Sequence, residues 1–180
     1  RVHSISRAPE GFDARFSPLS RSYEYRIADK KSLKNPLHSA FTLETNHSLD
    51  DEEMARLGRS LLGLHDFATF CRLRPGATTI RELQEYRWER GEGGVLVATI
   101  RADAFCHSMV RALVGAAVAV GRGKLTHDEV LVLLHKKERT SAFVTMPARG
   151  LCLREVAYPD AEDMGPRAAL TRNRRSADPD

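Results

Sequence analysis

From Arg21 to Ala28 the chain alternates, with Tyr23, Tyr25 and Ile27 on one side and Ser22, Glu24 and Arg26 on the other. A period of two predicts a strand with an aromatic face. The period then changes. Asp50, with Glu53 three residues on, opens a run in which Met54, Leu57, Leu61 and Leu62 recur at helical spacing, and Gly63 offers a left-handed stop. HDFATFCR after it reads as a loop or short turn. Thr79 to Arg90 and Gly94 to Ala104 hold the β-branched and aromatic runs YRW and VLVATI, and the GEGG between them predicts a hairpin.

The hairpin feeds directly into AFCHSMVRALVGAAVAVGRG, Ala104 to Gly123, whose small and apolar residues predict a helix from about Phe105 to Val120, closed by a glycine of GRG. Thr126 and Glu129 form a capping-box pattern ahead of VLVLLHKK, a second amphipathic helix. GLCLREVAY, Gly150 to Tyr158, predicts a closing strand. Beyond Pro159 large apolar residues are few, so residues 160–180 are expected to form a disordered tail to a domain spanning 1–159. Strands joined by a hairpin and mixed with helices predict an α+β fold, an antiparallel or mixed sheet with helices packed on one face.

Composition narrows the picture moderately. With 180 residues, 42% of them hydrophobic, the chain can bury one substantial core or two small ones. Its longest apolar run is broken by His107, Ser108 and Arg111, too soon for a membrane-spanning helix. The opening RVHSISRAPEGF has neither an apolar signal region nor an initiating Met, and reads as a cut point in a longer chain. Cys71, Cys106 and Cys152 lack zinc-site spacing and are expected to be buried free thiols in a reducing cytosol. A net charge of +4 permits a polyanionic partner without requiring one. Arginine is clustered at Arg15, Arg21 and Arg26, at Arg72, Arg74 and Arg81, and at Arg172, Arg174 and Arg175.

Arg111 is the anomaly of the apolar helix. At helical spacing His107, Ser108, Arg111 and Gly115 share one face, while Met109, Leu113, Ala116 and Val120 share the other, which alone is fit for a core. Small and polar neighbours would let a carboxylate or phosphate approach the guanidinium closely. The alternative is an arginine solvated on the outer face of an amphipathic helix. A thiol enzyme built on Cys106 and His107 is disfavoured, because adjacent helical positions do not face each other.

FDARFSPLSRSYEYRI, DFATFCR, AFCHSMVRALVGAAVAVGRG and ARGLCLREVAY follow one another in an order and spacing that resemble the C-terminal portion of the tRNA pseudouridine synthase A family. The resemblance covers roughly Phe12 to Pro159. It implies an isomerase that needs no cofactor or metal and converts uridine to pseudouridine in the anticodon stem and loop of tRNA. In the family an aspartate of a GRTDxGVH segment attacks the uridine, the glycosidic bond breaks, and the uracil rejoins through C5. By the resemblance, Arg111 is the ion-pair partner of that aspartate, Tyr23 the tyrosine that stacks on the target base and assists the C5 proton, and Leu151 an apolar residue against the uracil. Family members pair as homodimers that share one tRNA, with monomer or dimer left open for this chain, and the protein is expected to be cytoplasmic.

Gly-Arg occurs only at Gly58-Arg59 and Gly121-Arg122, and neither continues as the aspartate segment requires. Asp13, Asp66 and Asp103 lie within the matched segments but are expected to serve turns or strand edges. The chain is therefore expected to be the C-terminal half of a split active site, inactive alone, with the N-terminal half of the same protein as partner. Arg15 and Arg21, beside the aromatic strand, are candidate phosphate contacts, and Arg72, Arg81 and Arg122 are further candidates. A non-catalytic RNA-binding module with the same fold is the alternative.

Overall fold

A computed structural model describes residues 2–74 and 77–172. The predicted aromatic strand is β1 (Ser20–Ala28), with Tyr25 and Ile27 wholly buried. It forms the spine of a six-stranded sheet. On one side β1 pairs antiparallel with β5 (Leu96–Ala102), which pairs with β4 (Ile80–Arg90), and that with β3 (Gly63–Asp66), antiparallel throughout. On its other edge lie β6 (Leu151–Ala157), antiparallel, and the two-residue β2 (Leu43–Glu44), parallel. The hairpin between β4 and β5 stands where the sequence predicts it, turned by Glu92–Gly94.

The register puts Tyr25 beside Ala98, Ile27 beside Leu96 and Tyr23 beside Ile100, so these side chains share the apolar face. The opposite face carries charges in short ion pairs, among them Glu24 with Arg26 at 3.2 Å and Glu85 with Arg87 at 2.7 Å. Pairs partly open to water add little stability, but they mark the face opposite the core. The α+β expectation of helices on one side of the sheet holds. α1 (Asp51–Ser60) lies on β4, and α2 (Met109–Gly121) packs against α1. The Tyr86 hydroxyl donates to the Leu113 carbonyl at 2.9 Å, joining β4 to α2 through the core. α3 (His127–Lys136) begins with the predicted capping box, the Thr126 hydroxyl accepting from Glu129 N while the Glu129 carboxylate accepts from Thr126 N.

Several expectations need correction. Asp50 caps α1 as predicted, but the helix stops at Ser60, and Gly63, at φ +104°, opens β3, whose His65 and Asp66 belong to the segment read as loop. The apolar helix starts at Met109 rather than near Phe105, because Ser108 adopts a left-handed conformation (φ 70°) that breaks the helical path. Nor does α2 have only one core face. Gly115 and Val114 are buried along with Leu113 and Ala116, and an irregular segment around Val144 lies against Gly115 on the face not expected to be core. A β-carbon on Gly115 would lie only 2.0 Å from the Val144 carbonyl oxygen, so that approach requires glycine. Past Pro159, where disorder was expected, Met164–Arg172 form α4, which returns to the start of the chain. The Ser17 hydroxyl donates to the Met164 carbonyl at 3.1 Å, and Ala168 is buried. Arg174 and Arg175 lie outside the described residues.

One buried network has no signature in the pattern. Arg90 at the end of β4 grips both oxygens of the fully buried Asp29, at 3.2 and 3.1 Å, and donates also to Asp51 and the Leu49 carbonyl. Burial alone would raise the Asp29 carboxyl pKa, but hydrogen bonds from Arg90, Leu49 N and Ser32 Oγ outweigh it and hold the group below its ordinary range. A carboxyl depressed in the folded state contributes stability that is complete above its unfolded pKa of about 3.9 and is lost as pH falls through the folded value. Arg90→Met is expected to cost about 3–5 kcal/mol in urea unfolding at pH 7, because it strands a buried carboxylate. The difference between variant and wild type should shrink on acidification below about pH 4, and a pH-independent difference would contradict the assignment.

Candidate functional site

Where the helical cover of β1 ends, the aromatic face continues into a cleft of about 420 Å³. Tyr25 is sealed, its hydroxyl donating to the Pro147 carbonyl at 2.8 Å, and burial, partly opposed by the Arg111 charge, pushes its pKa up to about 12. Two residues along the same face, Tyr23 is only half-buried and lines the cleft. Its ring meets the edge of Phe105 at 5.3 Å between centroids and 85° between planes, a T-shaped contact that fixes its orientation.

Arg111 reaches the cleft from the first turn of α2. The left-handed turn at Ser108 brings that residue's hydroxyl to Arg111 Nη2, at 3.2 Å, while Nη1 donates to the Met146 carbonyl at 3.3 Å. The Met146 amide in turn donates to the Arg111 carbonyl at 3.1 Å. Both guanidinium partners are neutral. Among the described residues Arg111 forms no ion pair, and no Asp or Glu lines the cleft. Leu151 completes the wall. It follows Gly150, whose φ of +98° and whose carbonyl, accepting from Arg26 N at 3.0 Å, turn the chain into β6. Tyr23, Arg111 and Leu151, far apart in sequence, thus share one cavity.

The other predicted contacts divide. Arg15 and Arg72 are exposed at the cleft. Arg81 also lines it, with its guanidinium donating to Thr78 Oγ1 at 3.1 Å and to the Thr78 carbonyl at 2.7 Å. Arg21 does not line it, but donates to the Arg15 carbonyl at 2.9 Å and so supports the segment bearing Arg15. Arg122 is not brought to the cleft: it follows the last turn of α2, about 16 Å along the helix from Arg111, beside a separate apolar groove. Asp13, Asp66 and Asp103 have the local roles expected of them, accepting from Arg15 N and Phe16 N, from Ala68 N, and from Glu82 N and Ala104 N respectively.

Two features escaped the sequence. Arg74 and His107, not proposed as site residues, meet on the exposed rim with Arg74 Nη2 at 3.2 Å from His107 Nδ1. The expectation of three buried free thiols is also overturned. Cys71 and Cys106 are joined in a disulfide with Cα atoms 5.7 Å apart, and Cys152 is free but exposed on β6. The pairing follows from the fold, which brings the two loops together through the Arg72 amide donating to the His107 carbonyl at 2.9 Å. Sequence spacing alone does not reveal such a pairing.

In class this is an α+β protein whose sheet, covered by helices on one side, ends in a basic cleft that holds an oriented tyrosine and a guanidinium and is lined by no carboxylate. The comparisons give that class its family. The sequence model of the tRNA pseudouridine synthase family matches residues 58–159. Proteins named tRNA pseudouridine synthase A are 53% identical over 175 residues in Leifsonia xyli subsp. xyli, covering 97% of this chain and 61% of that protein, and 48% identical over 177 residues in Mycobacterium leprae, covering 98% and 62%. The chain belongs to the tRNA pseudouridine synthase family. It spans about three-fifths of the length of these curated relatives. Among the described residues no helix is long and apolar enough to cross a membrane.

The disulfide closes a sequence separation of 35 residues and ties both rim loops together. By loop-closure entropy it should stabilise the chain by about 3–4 kcal/mol over Cys106→Ser in urea unfolding. Thiol titration of the denatured, oxidised chain should find Cys152 alone; three reactive thiols would contradict the pairing.

Proposed function

We propose that this chain forms the C-terminal half of the catalytic cleft of a cytoplasmic, homodimeric enzyme that isomerises uridine to pseudouridine in the anticodon stem and loop of tRNA. The observation that carries the reading is the convergence of Tyr23, Arg111 and Leu151 on one cleft that no carboxylate lines. The relatives' greater length leaves room for a further segment, and we place the attacking aspartate there, in the N-terminal half of the same protein.

Each residue then has a physical task. Arg111, held by neutral acceptors on two sides, keeps N–H groups and an uncompensated charge for the incoming carboxylate, favouring its ionised, nucleophilic form. Tyr23 stacks on the uracil, its plane set by Phe105, and its phenol assists removal of the C5 proton. Leu151 packs against the same base. The aspartate attacks the uridine and the bond from N1 to the ribose breaks; the uracil then rejoins the same ribose carbon through C5 as the aspartate is released, and C5 loses a proton while N1 takes one up, so atoms balance without a co-reactant. Arg15 and Arg72 contact phosphates of the RNA strand.

The 180-residue chain alone is expected to show no release of tritium from C5-tritiated uridine in tRNA, whereas the full-length enzyme turns over; turnover by the chain itself would overthrow the split-site reading. In the full-length enzyme, Arg111→Ala should lower kcat/KM by roughly 150-fold, about 3 kcal/mol, because it breaks a buried charge pair. An unchanged rate would remove the ion-pair role. Tyr23→Phe should keep tRNA affinity while slowing turnover, and equal activity would restrict the ring to stacking.

A further inference from the structure

We propose that Arg74 and His107 form a preorganised subsite on the cleft rim for a phosphodiester of the RNA strand flanking the target uridine. The proposal rests on the tRNA-modifying reading and adds two residues to it. A guanidinium can only donate, so with Arg74 Nη2 at 3.2 Å, His107 Nδ1 must be the acceptor. The imidazole is therefore neutral, with its proton on Nε2. Desolvation, together with the charges of Arg74, Arg72 and Arg111, also lowers the His107 pKa and keeps the ring in that form. The pair thus presents the Nε2–H and the remaining guanidinium N–H groups to a ligand. It is a donor-only surface on a cleft lined by no carboxylate, which suits an anion rich in acceptor oxygens.

Three features distinguish the pair from two arginine-rich loops that happen to meet. The Arg72 amide donates to the His107 carbonyl at 2.9 Å and Arg74 Nη2 to His107 Nδ1 at 3.2 Å, holding the loops against each other, so the donors are set before a ligand arrives. Both side chains are exposed, whereas Tyr23, Arg111 and Leu151 are half-buried, so the pair lies outside the residues that enclose the base. In a nucleic acid the group that lies outside an enclosed base is the backbone phosphate. The carboxylate required by the chemistry belongs at Arg111, which leaves the rim donors for the strand.

The test uses the full-length enzyme with a tRNA transcript as probe, measuring affinity against salt alongside single-turnover rates. Arg74→Gln should weaken binding about tenfold at fixed salt, flatten the slope of log K against log salt by about one phosphate contact, and leave the single-turnover rate at saturation within about twofold. His107→Gln, which keeps an N–H donor, should lose less affinity than His107→Ala. Unchanged affinity and salt slope in Arg74→Gln would overturn the subsite, as would a loss confined to the single-turnover rate. Either result leaves the wider reading intact so long as Arg111→Ala still lowers kcat/KM by roughly 150-fold. A wild-type enzyme that does not bind tRNA at all would overturn both. Because the two residues are exposed, their variants should melt with the wild type, and a preserved melting temperature separates lost contacts from lost fold.

Discussion

The site depends on a guanidinium held in place without being neutralised. Arg111 donates to the Ser108 hydroxyl and to the Met146 carbonyl, two neutral acceptors that aim it but leave its charge unbalanced. A half-buried cation is costly unless a charge approaches it, and this cost underlies the proposal that a carboxylate comes to Arg111. Much of the surrounding architecture maintains this geometry. Ser108 takes a left-handed conformation, Gly115 admits the Val144 backbone, and the segment that follows is pinned by Tyr25 at the Pro147 carbonyl and by Arg26 at Gly150. That same segment delivers Leu151 to the opposite wall. The helix, the irregular cover and the first strand therefore act together to position one charge and one ring.

Local signals were legible wherever local physics decides. The alternation around Tyr23 to Ile27 reports one buried face of β1, Asp50 and Thr126 cap the helices they precede, and the turn at Glu92–Gly94 joins β4 to β5 as glycine chemistry predicts. What the pattern could not show is nonlocal. The four residues of β3 are too few to display a period, and they are a strand because β4 pairs with them. The polar-looking face of α2 is buried because an aperiodic stretch covers it. The Asp29–Arg90 pair spans 61 positions, and the Cys71–Cys106 pair joins loops whose adjacency exists only after folding.

The candidate site divides along the same line. Arg111 was conspicuous because a permanent charge among small apolar residues calls for a reason, and Tyr23 and Leu151 gained meaning from a family likeness. Their shared cavity is a three-dimensional fact that spacing does not supply. Arg122 illustrates the converse: an arginine next to glycine at a helix end belongs to a different surface from the arginine three turns earlier. Arg74 and His107 look like ordinary rim residues in sequence, and only their mutual hydrogen bond makes them a directional donor pair.

The most direct measurement of the central claim is a carbon-13 titration of the carboxyl of the proposed attacking aspartate in the full-length protein, in the wild type and in Arg111→Gln. The account predicts a carboxyl pKa held below the usual value of about 3.9 in the wild type and raised by at least about one unit in the variant. Superimposable titration curves would show that the guanidinium on α2 does not face the carboxylate, and would contradict the account.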